Sequence, residues 1–142
     1  MDKTTFRRFA LPYLRRIADE VKAKLGPERA VPMTVFAKGA HYAIVDLCET
    51  NYDVIGLDWT MDVQAARLVA EAKGKALQGN IDPAALYGDE ESVRKGTEVM
   101  MKEMGTCGVI ANLGHGMYPD LEPAKLGAFV DTVHACSTSG EM

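Results

Sequence analysis

The chain has 142 residues, 47% of them hydrophobic, 25% charged and 7% aromatic, with a net charge of −4. That is long enough for one domain with a packed core and too apolar for a disordered segment. The acidic balance excludes the basic face of a nucleic-acid binder, and no run of eighteen apolar residues is available to span a membrane.

The opening residues Met1-Asp2-Lys3-Thr4-Thr5 lack the apolar core of a signal peptide. Three widely spaced cysteines (Cys48, Cys107, Cys136) are odd in number, which fits reduced thiols in the cytoplasm better than a disulfide framework. A cytoplasmic protein is therefore expected.

In chain order, Leu14, Ile17, Ala18, Val21 and Leu25 keep the spacing of one buried helical face and predict a helix over 12–25. Pro12 suits its first position and Gly26-Pro27 its end, while Phe6, Phe9 and Leu11 predict a packed turn upstream. Val31 to Ala37 reads as a strand, Lys38-Gly39 as the turn after it, and 40–50 as a helix with Ile44, Leu47 and Cys48 inward. Val54 to Leu57 is the next strand, ending in Asp58-Trp59-Thr60. Thr60 is placed to cap a helix carrying Ala65, Ala66, Val69 and Ala70 on one face.

Lys75 to Gln78 is a weaker strand, followed by Asp82-Pro83, an N-cap and first-position pair for a short helical turn. Asp89 opens a longer helix whose acidic first turn suits the helix dipole, with Val93, Thr97, Met100 and Met104 inward. Val109 to Leu113, apolar apart from Asn112, reads as a strand buried on both faces. Leu126, Phe129, Val130 and Val133 mark a last helix, and the polar tail 137–142 is expected to fray.

The pattern is one helix followed by four strand–helix units, with no linker or low-complexity tract to divide residues 1–142. Such alternation predicts an α/β fold, a parallel sheet with helical cover. Without a Gly-rich phosphate loop, four units fit half of a (β/α)8 TIM-type barrel better than a nucleotide-binding sheet.

In parallel α/β folds ligands sit at the carboxyl ends of the strands. There the chain places Gly114-His115-Gly116. Glycine accepts positive φ and has no side chain to crowd a ligand, so one imidazole is left open on both sides. A charged imidazole paired with a carboxylate makes a hydrogen bond of about 1.5–3 kcal/mol. The plainer alternative is a histidine packed in a tight turn. Lys38, Asp58 and Asn80 also follow strands and would face the same mouth. For each a structural role is favoured: Asp58 as a cap or ion-pair partner, Lys38 as a solvated charge. Trp59 reads as a packing anchor, His41 as a surface residue in a first helical turn, and Met100, Met101 and Met104 as core.

Three segments carry a family resemblance: Gly56-Leu57-Asp58-Trp59, Leu77-Gln78-Gly79-Asn80-Ile81-Asp82-Pro83 and Ile110-Ala111-Asn112-Leu113-Gly114-His115-Gly116. With Phe9-Ala10-Leu11-Pro12-Tyr13 and Val35-Phe36-Ala37-Lys38 in the same order, the chain from about Phe6 to Ser137 resembles the C-terminal half of uroporphyrinogen decarboxylase. The resemblance implies a (β/α)8 barrel, a homodimer, and no metal or organic cofactor. It further implies a carboxy-lyase that removes the carboxyl groups of four acetate side chains from uroporphyrinogen, giving coproporphyrinogen in haem synthesis. In that chemistry a pyrrole carbon is protonated, carbon dioxide leaves, and the carbon is reprotonated, organised by an aspartate that binds the pyrrole N–H groups.

That aspartate, the family's arginine-rich motif, and its tyrosine and serine contacts have no counterpart in these residues. Of the family's substrate contacts only the histidine carries over, as His115. Substrate binding is therefore expected at His115, with no catalytic residue in this stretch, and the chain by itself is expected to be inactive. Glu122 before Pro123 departs from the better-capping aspartate of relatives. His134-Ala-Cys136 resembles part of the zinc site of related barrel methyltransferases. It lies at the end of the last helix, however, with Cys107 on the opposite side, so no metal is expected. No nucleophile–base pair is evident.

Two roles remain open from the sequence. One is a piece of a decarboxylase that presents His115 to a porphyrinogen. The other is a non-catalytic half-barrel that associates with itself or with the full-length enzyme to cover its bare edges.

Overall fold

The computed structural model describes residues 1–105 and 108–138. Two helices open the chain, α1 (Lys3–Phe9) and α2 (Leu11–Leu25). Four units follow: β1 (Thr34–Phe36) with α3 (Ile44–Cys48), β2 (Val54–Gly56) with α4 (Val63–Ala72), β3 (Ala76–Ile81) with α5 (Glu90–Met104), and β4 (Val109–Leu113) with α6 (Pro123–Thr138). All strand pairs are parallel and the spatial order is β1-β2-β3-β4. The result is a partial barrel, as the alternation predicts.

Register assigns each row of the sheet to one face, because successive side chains along a strand alternate. Val35, Ile55, Leu77 and Val109 stand in one row beneath the helices. The first three are buried and Val109 packs against the core. The next row, Phe36, Gly56, Gln78 and Ile110, lies on the opposite, concave face. There Phe36 is 45% and Ile110 46% exposed. Gly56 is needed in that row, since a Cβ there would sit 2.9 Å from the Phe36 ring.

The helical layer follows its spacing closely in α5, where Val93, Thr97, Met100 and Met104 are all buried, joined by Met101. Asp89 caps α5 by accepting the Ser92 N–H, and Asp82 accepts the Ala84 N–H ahead of a 3-10 turn over Pro83–Tyr87. Long-range clips tie the first helices to α3 and to the start of β2. Arg7 makes a forked pair with Asp46 of α3, which holds that carboxyl below the usual carboxylate range. Asp53 accepts from Lys22 of α2 and from the Met33 N–H.

Several expectations are corrected. The first strand begins at Thr34, not Val31: Pro32 has no N–H to offer, and the contact with the following strand starts at the Met33 carbonyl. The 40–50 helix is a 3-10 turn, His41–Ala43, leading into the short α3. Asp62 rather than Thr60 caps α4, because the Thr60 hydroxyl is taken by Asp58; Ala65 is exposed and Val63 takes its place inside. β3 runs on to Ile81, since its pairing with β4 continues past Gln78 through Gly79, Asn80 and Ile81.

β4 is an edge strand and not buried on both faces. Ile110 and Asn112 are exposed, because no further strand or helix among the described residues covers the concave side. Ile17 and Val130 are likewise exposed despite helical spacing that placed them inside. Ser137 and Thr138 belong to α6, while 139–142 and Cys107 lie outside the described residues.

Candidate functional site

Three turns meet at the carboxyl ends of the strands. Asp58, only 2% exposed, accepts hydrogen bonds from the Gly39 N–H, the Thr60 N–H and the Thr60 hydroxyl. The turn after β1 is thereby joined to the turn after β2. Gly39 takes φ +73°, a conformation glycine adopts without strain, which lets its N–H face the carboxylate. Burial pushes the Asp58 carboxyl up. The Thr60 hydroxyl and the Gly39 and Thr60 N–H groups, with His41 more distantly, outweigh burial and leave it below the usual carboxylate range.

The end of β3 joins the same knot, with Asn80 Nδ2 donating to the Asp58 carbonyl at 3.1 Å. The turn after β4 then packs against it. The Gly114 N–H donates to the Ile81 carbonyl at 2.7 Å. A Cβ on Gly114 would lie 2.6 Å from the Trp59 nitrogen and 2.9 Å from the Asn80 carbonyl oxygen.

The reason for the glycines therefore differs from the one the sequence suggested. Neither Gly114 nor Gly116 has positive φ. Gly114 is there because backbone passes too close for a side chain, while Gly116 faces open space. Beyond His115, Tyr87 stacks on Tyr118 and its hydroxyl donates to Asp120 at 2.8 Å, tying the outgoing loop to the segment after β3.

On this floor stand the exposed groups. His115 lines a cavity of about 280 Å³ with Phe36, Leu57, Gln78, Asn112 and Leu113, beside Gly56 of β2 and the two glycines of its own turn. Its ring centroid is 6.4 Å from Phe36 and 6.3 Å from Trp59, edge-on to the latter at 89°. The Lys38 ammonium lies 4.8 Å from the centre of the Trp59 ring.

The structure thus separates the four polar residues that follow strands. His115 and Lys38 are at the rim, whereas Asp58 and Asn80 are buried beneath it and hold the turns together. Trp59 is half-buried and stands beside both His115 and Lys38, a wall as well as an anchor. His41 sits in the 3-10 turn against Tyr42. His134 and Cys136 lie at the far end of α6. Among the described residues no group of three or more His, Cys, Asp or Glu could hold a metal ion.

Sequence reasoning missed Phe36, Gln78 and Asn112 as cavity residues. The available signal was Gly56, a glycine inside a strand that marks a close approach by a neighbouring row. No helix among the described residues is long and apolar enough to cross a membrane.

Comparison with known proteins agrees with this arrangement. A structure of a methyltransferase from Methanosarcina mazei superposes with a TM-score of 0.76 at 14% identity, over 95% of this chain and 38% of that one, which shows a shared fold. Uroporphyrinogen decarboxylase of Danio rerio is 52% identical over 131 residues, that of Salinibacter ruber 50% over 129, and that of Homo sapiens 48% over 133. In each case 91% of this chain is covered, and it spans about a third, 35%, of the relative's length. The family model for uroporphyrinogen decarboxylase matches residues 1–136. The chain belongs to the uroporphyrinogen decarboxylase family.

Proposed function

We propose that this strand-end face binds the acidic side chains of uroporphyrinogen, with His115 as a donor to a substrate carboxylate, in an enzyme that decarboxylates the acetates to give coproporphyrinogen. One observation carries the reading: an exposed imidazole lining a cavity at the carboxyl ends of parallel strands, with apolar walls from Phe36, Leu57 and Leu113. A tetrapyrrole is an apolar ring with an acidic rim, so apolar walls beside a hydrogen-bond donor suit it.

No acidic residue is among those lining the cavity. The group that binds the pyrrole N–H atoms comes from the strands that complete the barrel, on the same polypeptide or another. The chain alone then decarboxylates nothing measurable, since loss of one organising electrostatic group commonly costs about two to three powers of ten. The completed enzyme is a cytoplasmic homo-oligomer that needs no metal or organic cofactor. Mixing this chain with the complementary part of a family member tests the assignment. Coproporphyrinogen formation is expected with the parent chain and reduced with His115→Ala. A mixture of folded parts that never forms coproporphyrinogen would overturn the reading.

A second reading has its own support. Phe36 and Ile110 are bare on the concave face, and β1 and β4 each have one unpaired edge among the described strands. Self-association would cover both. Sedimentation at micromolar concentration is expected to show a species larger than the monomer; monomer alone excludes this role.

A further inference from the structure

We propose that Lys38 is a second carboxylate receptor of the same mouth, so that a polyacid is gripped by the Lys38 ammonium and the His115 imidazole, both of which stand beside Trp59. The inference rests on the reading of His115 given above and extends it to a residue that the sequence alone assigned to solvent. Lys38 and His115 are both measured against one ring: the ammonium is 4.8 Å and the imidazole 6.3 Å from the Trp59 centroid. The two are thus no more than about 11 Å apart, and both side chains are exposed.

Among the described residues Lys38 makes no ion pair, although many of its fellow cations do. The nearby carboxylate, Asp58, is already occupied by Gly39 and Thr60. Lys38 is therefore held by the aromatic face rather than by an acid. A cation on an aromatic ring keeps its N–H donors available to an incoming anion and has less side-chain freedom to lose when one arrives.

Its base is fixed too. The turn Lys38-Gly39 is tethered through Asp58 to the segment carrying Trp59, and Gly114 packs on that segment from the His115 side. One buried knot sets the spacing of both receptors. The ligand chemistry that matches is a rigid molecule bearing several carboxylates.

Titration with uroporphyrin, a stable polycarboxylate analogue, tests this directly. Trp59 is the single tryptophan of the chain, so quenching of its emission reports binding at this site. Lys38→Met is expected to weaken binding about tenfold, as loss of one charge-assisted contact would, and to lower the salt dependence of affinity. Lys38→Arg is expected to restore both. Acetate, which can occupy only one receptor at a time, is expected to show no such difference between parent and Lys38→Met. Lys38 is exposed and its ammonium meets only the Trp59 face among the contacts described, so an unchanged melting temperature shows that the variants are folded. If Lys38→Met binds like the parent while His115→Gln loses affinity, the second receptor is refuted and the reading of His115 stands. If the parent does not bind uroporphyrin at all, both fall.

Discussion

The two faces of the sheet are built from the same strands and differ in what covers them. On the convex side Val35, Ile55 and Leu77 are sealed by helices, with α5 packed on β3 and against α6. On the concave side Phe36 and Ile110 are half bare, and Gln78 and Asn112 line a cavity. The difference separates what this stretch of chain completes by itself from what it offers to something else. Its core is finished. Its inner face is a surface, and the one imidazole of interest stands at the end of it.

Substitutions on matched positions of the two faces sharpen the contrast, and the largest effect is expected in the core. Leu77→Ala should destabilise by about 2–5 kcal/mol in denaturant titration, whereas Ile110→Ala, from the bare row, should cost under about 1 kcal/mol. Equal losses at the two positions would mean the concave face is covered in solution.

The glycines of the His115 turn provide the next pair. Gly114→Ala places a methyl against the Trp59 nitrogen and should cost about 1–3 kcal/mol. Gly116→Ala meets nothing within 4 Å and should be close to neutral by the same measurement.

Asp58→Asn removes a negative acceptor from three donors and should cost about 1–3 kcal/mol at neutral pH. Its pH dependence has a definite sign. The folded carboxyl lies below the usual range, so its contribution is present above the ordinary carboxylate pKa of about 3.9 and is lost as pH falls through the folded value. The parent should therefore lose more stability than Asp58→Asn between pH 5 and acid. Asp46, depressed by its hydrogen bond to Arg7, adds an equal loss to both proteins in the same window and so cancels in the comparison.

The smallest effect on folding and a clear one on assembly is expected for Ile110→Asp. It should leave the melting temperature nearly unchanged and shift any self-associated species toward monomer in sedimentation.

Local spacing served where one element decides the outcome. The inward residues of α5 and its Asp89 cap were legible because period and cap chemistry are properties of the helix itself. Spacing failed where burial depends on a neighbour. Val109 to Leu113 has the composition of a central strand, yet it lies at an edge, and only the topology reveals that Ile110 and Asn112 are uncovered. The same holds for Ile17 on α2, an apolar residue on a face that nothing described here packs against.

At the site, His115 was legible from Gly114-His115-Gly116 at a strand end, but the work of the first glycine was not. It depends on how closely the backbone of another turn passes. For Lys38 the sequence predicts only a solvated charge, since nothing in it brings the residue to Trp59, twenty-one residues on; the Asp58 tether does that.

The most direct test is a map of backbone amide shifts when uroporphyrin is added to the isotope-labelled chain. Changes are expected only at the strand ends and their turns, in 36–39, 56–60 and 112–116, and are expected to be lost in His115→Gln. Shifts centred on the outer faces of α4, α5 and α6, with the Gly114-His115-Gly116 amides unmoved, would contradict this expectation.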